Sequence, residues 1–192
     1  MASHSVARSE SIAAFVPELE GLIADAMDEW KVPGLALAVV QNGAVALVRA
    51  YGLRDVEARL KVTTDTQFLL ASITKSFTAT GLALLVDERR LDWAKPVREY
   101  IPEFRLYDSV ATDRITVRDL LSHHSGLPRH DWIWSPGDLS PAQMLAAMRY
   151  LEPNEDIRST HQYSNLGYLV ASMVAERVSG RSWTEFYPRS TD

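Results

Sequence analysis

Phe68-Leu-Leu-Ala-Ser-Ile-Thr-Lys-Ser-Phe77 carries the reading of the chain, because it sets Ser72 three residues before Lys75 at the head of an apolar-periodic run from Ile73 to Arg89. On a helix, residues three apart share a face, one turn from each other. A serine hydroxyl and a lysine amine at this spacing come within hydrogen-bond reach. Serine is a poor nucleophile at neutral pH unless a base stands beside it. Lysine serves as that base where burial or neighbouring positive charge lowers its pKa. A helix start also offers free backbone N–H groups to an oxyanion formed there. The competing interpretation of the same spacing is an N-cap serine followed by a surface lysine.

Outward from this stretch, the N-terminal side opens as a helix and a hairpin. Ile12, Phe15, Leu19, Leu22, Ile23, Ala26, Met27 and Trp30 recur at helical spacing among acidic residues, predicting an amphipathic helix over 11–30. Pro33-Gly34 ends it. Apolar runs at 35–40 and 44–51 flank Gln41-Asn42-Gly43, and Asn-Gly between such runs predicts a β-hairpin. Residues 54–66 read as a polar, irregular connection. Two strands alone do not make a stable sheet, so the hairpin expects further strands.

On the C-terminal side, Thr116 is placed to cap a helix over 117–122, with Gly126 and Pro128 beyond its end. Ser140-Pro141 is an N-cap and N1 pair for a helix over 142–150. Residues 166–178 are helical, with Gly180 as the terminating left-handed residue. Ser182-Trp-Thr-Glu185 is a capping-box pattern that opens one more helix. Before the 166–178 helix stands Tyr163-Ser164-Asn165. In an extended segment Tyr163 and Asn165 point one way and Ser164 the other. A phenol beside a lysine can relay a proton, and an amide can hold a lysine or a substrate carbonyl. The plainer alternative is a packed tyrosine followed by an asparagine N-cap.

Ser72-Ile-Thr-Lys75, Leu120-Leu-Ser-His-His-Ser-Gly-Leu-Pro128 and Tyr163-Ser-Asn165-Leu-Gly-Tyr168 occur in that order. Together they resemble the serine β-lactamase-like and penicillin-binding-protein superfamily. Tyr-x-Asn in place of Ser-Asp-Asn is similar to the branch of class C β-lactamases, DD-peptidases and family VIII esterases, over about residues 33–183. The resemblance implies an α+β fold: an antiparallel sheet with flanking helices and a mainly helical subdomain. It assigns residues 11–66 to the sheet domain and 67–183 to the helical domain, with the active site between them. It also reads 1–10 as a disordered terminus and 184–192 as a truncated tail, with the later strands missing.

By the same resemblance Ser72 is the acylated nucleophile. Lys75 and Tyr163 exchange its proton with the leaving group, and Tyr163 activates the deacylating water. Asn165 orients Lys75 and contacts substrate, and the Ser72 N–H is half of an oxyanion hole. The implied function is a serine hydrolase acting through an acyl-enzyme on a carboxylic ester, a β-lactam or a D-amino-acid peptide, with no metal and no cofactor. Three departures stand out. His124 replaces the usual threonine of His-Thr-Ser-Gly, 157–162 lacks the usual Pro-Gly turn and aromatic, and the third motif, Lys-Thr-Gly or His-x-Gly on a late strand, is expected to be missing because the sequence stops before that strand. The alternative function is a truncated or split fragment, silent alone, that pairs through an unpaired sheet edge with a complementary segment or a second copy.

Composition narrows the partners. The chain has 192 residues, 46% hydrophobic and 23% charged, which suits a folded core rather than disorder. A formal charge of −5 without a basic stripe gives no nucleic-acid expectation. No cysteine means no disulfide and no thiol chemistry. The longest apolar runs are too short to span a membrane. The N-terminal residues lack a secretory core, so the expectation is a soluble protein, cytoplasmic or with its signal removed. The partners expected are a small-molecule ester or amide substrate and, through the unpaired sheet edge, a second copy of the chain, with no nucleic acid and no membrane. His123, His124, His130 and Asp131 match no metal-ligand spacing and read as structural or surface residues. Trp132 and Trp134 read first as core aromatics, with an apolar acyl pocket as the second choice. Ser122 and Ser125 beside His123 and His124 are not expected to pair, since neighbours in sequence rarely face each other.

Overall fold

A computed structural model of the chain describes residues 12–135 and 137–186. The fold is α+β, and the chain divides into two compact units, residues 1–69 and 70–192. The expectations for residues 1–10, and for the tail beyond Phe186, lie outside the described residues.

The first unit contains helix α1 (Val16–Glu29), preceded by a 3-10 turn at Ile12–Ala14, and an antiparallel sheet of order β1-β2-β3. β1 (Gly34–Gln41) and β2 (Ala44–Asp55) form the predicted hairpin, closed by the pair Gln41↔Ala44. Asn42 and Gly43 have φ of +54° and +77°, the double left-handed turn that matches strand twist. The reading of 54–66 as irregular is corrected here. β2 continues to Asp55, and β3 (Leu60–Lys61) returns alongside it. The cause is local: the Asp55 carboxylate accepts the Ala58 N–H at 2.7 Å and tightens the turn, with Arg59 left-handed at φ +53°. Of the hydrophobic side chains in this unit, Leu47 and Val62 are buried, whereas Leu22, Trp30, Val40 and Val45 are exposed.

The second unit is helical. It comprises α2 (Thr74–Asp87), α3 (Ser109–Arg114), α4 (Val117–Leu121), α5 (Pro141–Ala147), α6 (Asn165–Ser179) and α7 (Trp183–Phe186), with several 3-10 turns between them. Leu82 and Leu85 of α2, Leu120 of α4 and Val170 and Val174 of α6 meet Ile101, Phe104 and Ile115 in one core, each fully or almost fully buried. α6 packs along both α2 and α4. That packing carries the ends of α2 and α6, and the turn after α4, to one place.

The caps follow the sequence. Thr116 and Asp119 form a reciprocal capping box on α4, as do Ser140 and Gln143 on α5. Gly180 ends α6 with φ +73°. On α7, Glu185 accepts both the Ser182 N–H at 2.9 Å and its hydroxyl at 2.6 Å. No helix among the described residues is long and apolar enough to cross a membrane.

Candidate active site

The chain enters α2 through a 3-10 turn at Ala71–Ile73, so Ser72 precedes the helix proper and does not cap it. Ala71 has φ +46°, a left-handed setting that costs a residue with a Cβ about 1–2 kcal/mol. Strain of this kind gathers where a neighbouring side chain must be aimed. Ser72 is exposed and Lys75, one turn on, is half-buried. Lys75 Nζ donates to Ser72 Oγ at 3.3 Å and to Asn165 Oδ1 at 2.7 Å.

The Tyr163 loop arrives from the other side. Ser164 is extended, at φ −132° and ψ 118°, and its buried hydroxyl accepts the Gly167 N–H at 3.1 Å as the N-cap of α6. With Ser164 doing the capping, the Asn165 amide is left to hold Lys75. Tyr163 and Asn165 share the opposite face. The Tyr163 hydroxyl lies 2.6 Å from Ser72 Oγ, and Lys75 Nζ is 4.9 Å from the Tyr163 ring centre. The Lys75 ammonium and the Ser72 hydrogen bond hold the Tyr163 phenol below its usual range. Arg129, 5.1 Å from the same ring, adds positive charge in the same direction. The four residues singled out in the sequence therefore form one hydrogen-bonded cluster, all from the second unit.

The turn after α4 braces this loop. His123 is buried and left-handed at φ +61°. Its carbonyl accepts the Gln162 N–H at 2.8 Å, and its Nδ1 accepts the Ser164 N–H at 3.0 Å. The next carbonyl, of His124, accepts the Arg158 N–H at 2.9 Å. Arg158 Nε and Nη2 reach the two Asp119 oxygens, each at 2.9 Å. Gly126, at φ +77°, lets the Glu155 carbonyl approach where a Cβ would clash. The expectation that Ser122 and His124 do not meet is corrected: Ser122 Oγ and His124 Nδ1 are 3.1 Å apart. The left-handed His123 between them turns the chain back on itself.

A cavity of about 630 Å³ opens beside Ser72 and Lys75, with Trp134, Met144, Leu166, Leu169 and Trp183 in its wall. The core expectation for the two loop tryptophans is overturned: Trp132 is 88% exposed, and Trp134 is 38% exposed at the cavity. Both sit in a 3-10 turn and its end, outside the helices that build the core.

The family model described as beta-lactamase matches residues 19–190, nearly the whole chain. This chain belongs to the beta-lactamase family. A curated relative, the unguisins hydrolase ungD′ of Aspergillus campestris, is 36% identical over 83% of this chain and 31% of its own length. The octameric penicillin-binding protein homologue of Pyrococcus abyssi superposes with a TM-score of 0.76 at 32% identity, over 89% of this chain and 41% of that one. A class C beta lactamase superposes with a TM-score of 0.78 at 25% identity, covering 93% and 48%. The chain thus spans about a third of the curated relatives it matches and under half of the solved ones.

Within this member of the beta-lactamase family, sequence reasoning considered His130, Asp131, Trp132 and Trp134 singly but missed the network that Asp131 makes with Arg129 and Trp134. Arg129 Nε donates to Asp131 Oδ2 at 2.8 Å and Trp134 Nε1 donates to Asp131 Oδ1 at 3.0 Å. Arg129, and further bonds from Trp134 and Asn165, hold the Asp131 carboxylate below its usual range. Asp131 thereby ties Arg129 to Trp134 in the cavity wall. The sequence did hold one signal for it, an Arg–Asp pair two residues apart after Gly126 and Pro128.

Proposed function

We propose that the chain carries the acylation machinery of a serine hydrolase that works through an acyl-enzyme on carboxylic esters, and on β-lactams in the same mode. The observation that supports this most is the contact of Ser72 Oγ with Tyr163 OH at 2.6 Å, with Lys75 at 3.3 Å and Asn165 holding Lys75. In this reading Ser72 Oγ attacks the substrate carbonyl while its proton passes to the phenolate of Tyr163, which the positive charge of Lys75 favours. The oxyanion of the tetrahedral intermediate takes a hydrogen bond from the Ser72 N–H. As the carbon–oxygen or carbon–nitrogen bond breaks, Tyr163 returns the proton to the leaving group. A water molecule, deprotonated by Tyr163, then attacks the ester formed on Ser72, and Tyr163 passes that proton to Ser72 Oγ as the acid leaves. No step calls for a metal or cofactor.

The largely apolar cavity wall supports substrates with an apolar acyl group, since a matching methylene is worth about 0.8 kcal/mol on burial. The hydrolase name of the fungal relative and the class C beta lactamase among the solved neighbours support a hydrolytic reaction. The test is a panel of nitrophenyl esters of increasing acyl length, a chromogenic cephalosporin and a D-alanyl dipeptide, run against Ser72→Ala. Turnover that rises with acyl length and vanishes in the variant supports the reading. Equal turnover by Ser72→Ala sinks it.

A second reading has its own observation. Leu22, Trp30, Val40 and Val45 of the first unit are exposed, and an apolar groove of about 390 Å³ runs past Leu22, Met27, Trp30 and Leu35. Among the described residues β1 pairs on one side only. This supports a unit completed by further polypeptide, the chain being silent until that surface is covered. Gel filtration decides between them: a monomer with cooperative unfolding and activity removes the second reading, and self-association without activity supports it.

A further inference from the structure

The mechanism proposed above gives His123 no part, yet the Tyr163 loop rests on it through its carbonyl, its ring nitrogen and its ring face. Its carbonyl fixes Gln162, the residue before Tyr163, and its ring nitrogen fixes Ser164, the residue after, at 2.8 and 3.0 Å. Its ring lies 4.7 Å from the Tyr163 ring and 5.3 Å from the Tyr168 ring, tilted 32° and 39°. Tyr168 is itself anchored by its hydroxyl to the Leu121 carbonyl at 3.0 Å. His123 thus holds both neighbours of Tyr163 and lies against its ring, and is itself held in a backbone conformation that histidine adopts more readily than most.

The hydrogen bond from Ser164 has a chemical condition. A backbone N–H can only donate, so Nδ1 must be the unprotonated nitrogen and Nε2 the protonated one. A second proton on the ring would aim N–H at N–H and break the contact. We propose that neutral His123 is a positioning residue for Tyr163, so that protonating His123 in acid withdraws the phenol from Ser72 and switches off acylation.

The surroundings fit this role. The groups facing His123 are His161 (edge-on at 5.3 Å), Tyr163, Tyr168, Lys75 and His124, and none of these five is a carboxylate. Burial, and then the positive charge of His161, Lys75 and His124, keep His123 neutral to lower pH than an ordinary histidine. With the folded-state value depressed, the neutral contact is complete above the ordinary histidine value and is lost as pH falls through the lower, folded-state one.

The proposal rests on the reading of Ser72 and Tyr163 as the reacting pair, so its test has one arm that needs no activity. In the first arm, NMR of isotope-labelled histidine in the intact chain reads the tautomer. His123 with Nδ1 unprotonated at mildly alkaline pH, and Tyr163 ring resonances that move with the His123 titration, are expected. A protonated Nδ1, or Tyr163 resonances indifferent to that titration, overturns the proposal.

In the second arm, the rate of Ser72 labelling by a fluorophosphonate is followed against pH in the unmodified chain, His123→Asn and His123→Ala. Asparagine keeps an acceptor near the Nδ1 position, tolerates a left-handed backbone and does not titrate. The unmodified chain should lose about tenfold per pH unit below the His123 midpoint, with His123→Asn labelling well but without that acidic limb. His123→Ala should label at least about tenfold more slowly at every pH, the loss expected when one neutral hydrogen bond of about 1–1.5 kcal/mol no longer places the base. An unchanged acidic limb in His123→Asn, or a normal rate in His123→Ala, refutes the positioning role. If the unmodified chain takes no label while the first arm behaves as expected, the hydrolase reading fails and the His123–Tyr163 coupling stands.

Discussion

Replacing Tyr163 by phenylalanine removes one oxygen and leaves every ring contact in place. The ring would still face His123 at 4.7 Å, Lys75 at 4.9 Å and Arg129 at 5.1 Å. What disappears is the shorter of the two contacts on Ser72 Oγ, 2.6 Å against 3.3 Å from Lys75. Direct proton transfer works best at about 2.6–3.2 Å, so the remaining lysine is left at the edge of the useful range. A positioned acid–base group contributes about 10²–10⁴ in rate, or about 3–5 kcal/mol of barrier. The hydroxyl is only partly buried, and its loss should cost stability no more than about 1 kcal/mol. Tyr163→Phe should therefore slow fluorophosphonate labelling of Ser72 by about 10²–10⁴ while its thermal midpoint barely moves. A rate within about threefold of the unmodified chain, well below the range for a positioned acid–base group, would falsify the assignment of Tyr163.

Asn165→Ala deletes a 2.7 Å charge-assisted hydrogen bond to Lys75. At about 1.5–3 kcal/mol for such a bond, labelling should fall about 10- to 150-fold, and an unchanged rate would mean Lys75 is held by something else. Phe104 is fully buried, so Phe104→Ala should lower the unfolding free energy by about 3–5 kcal/mol in a urea titration; a loss under about 1 kcal/mol would refute its place at the centre of the core. For Asp119, burial raises the carboxyl pKa, but the hydrogen bonds from Arg158 and Thr116 outweigh it and hold the group below its usual value. A depressed carboxylate adds stability above its unfolded value, near 3.9, and that stability is lost as pH falls through the folded-state value. Asp119→Asn should be less stable at neutral pH and show a flatter decline in acid, and parallel curves for the two proteins would contradict the pairing.

The elements that announce themselves locally were legible in the sequence. Asn42-Gly43 marks its own turn, Thr116 and Ser140 carry capping partners three residues on, and the spacing of Ser72 and Lys75 is itself the geometry of one helical turn. The alternation Tyr163-Ser164-Asn165 likewise told which side chains share a face, though not that Ser164 would take the cap and release Asn165. What stayed hidden depends on contacts distant in sequence or on very short segments. β3 is two residues long and α3 six, too short to show a period; α3 is fixed instead by Asp108 accepting the Ala111 N–H. The Arg129–Asp131–Trp134 network lies in a loop without periodicity. The grip of His123 on the Tyr163 loop ends on the backbone N–H groups of Gln162 and Ser164, which no residue pattern reports.

The central claim is that Ser72 is an activated nucleophile, and intact mass after incubation with a fluorophosphonate tests it most directly. The geometry predicts a single adduct on the folded chain, absent from Ser72→Ala. A folded chain that takes no adduct, or an adduct that survives the substitution, contradicts it.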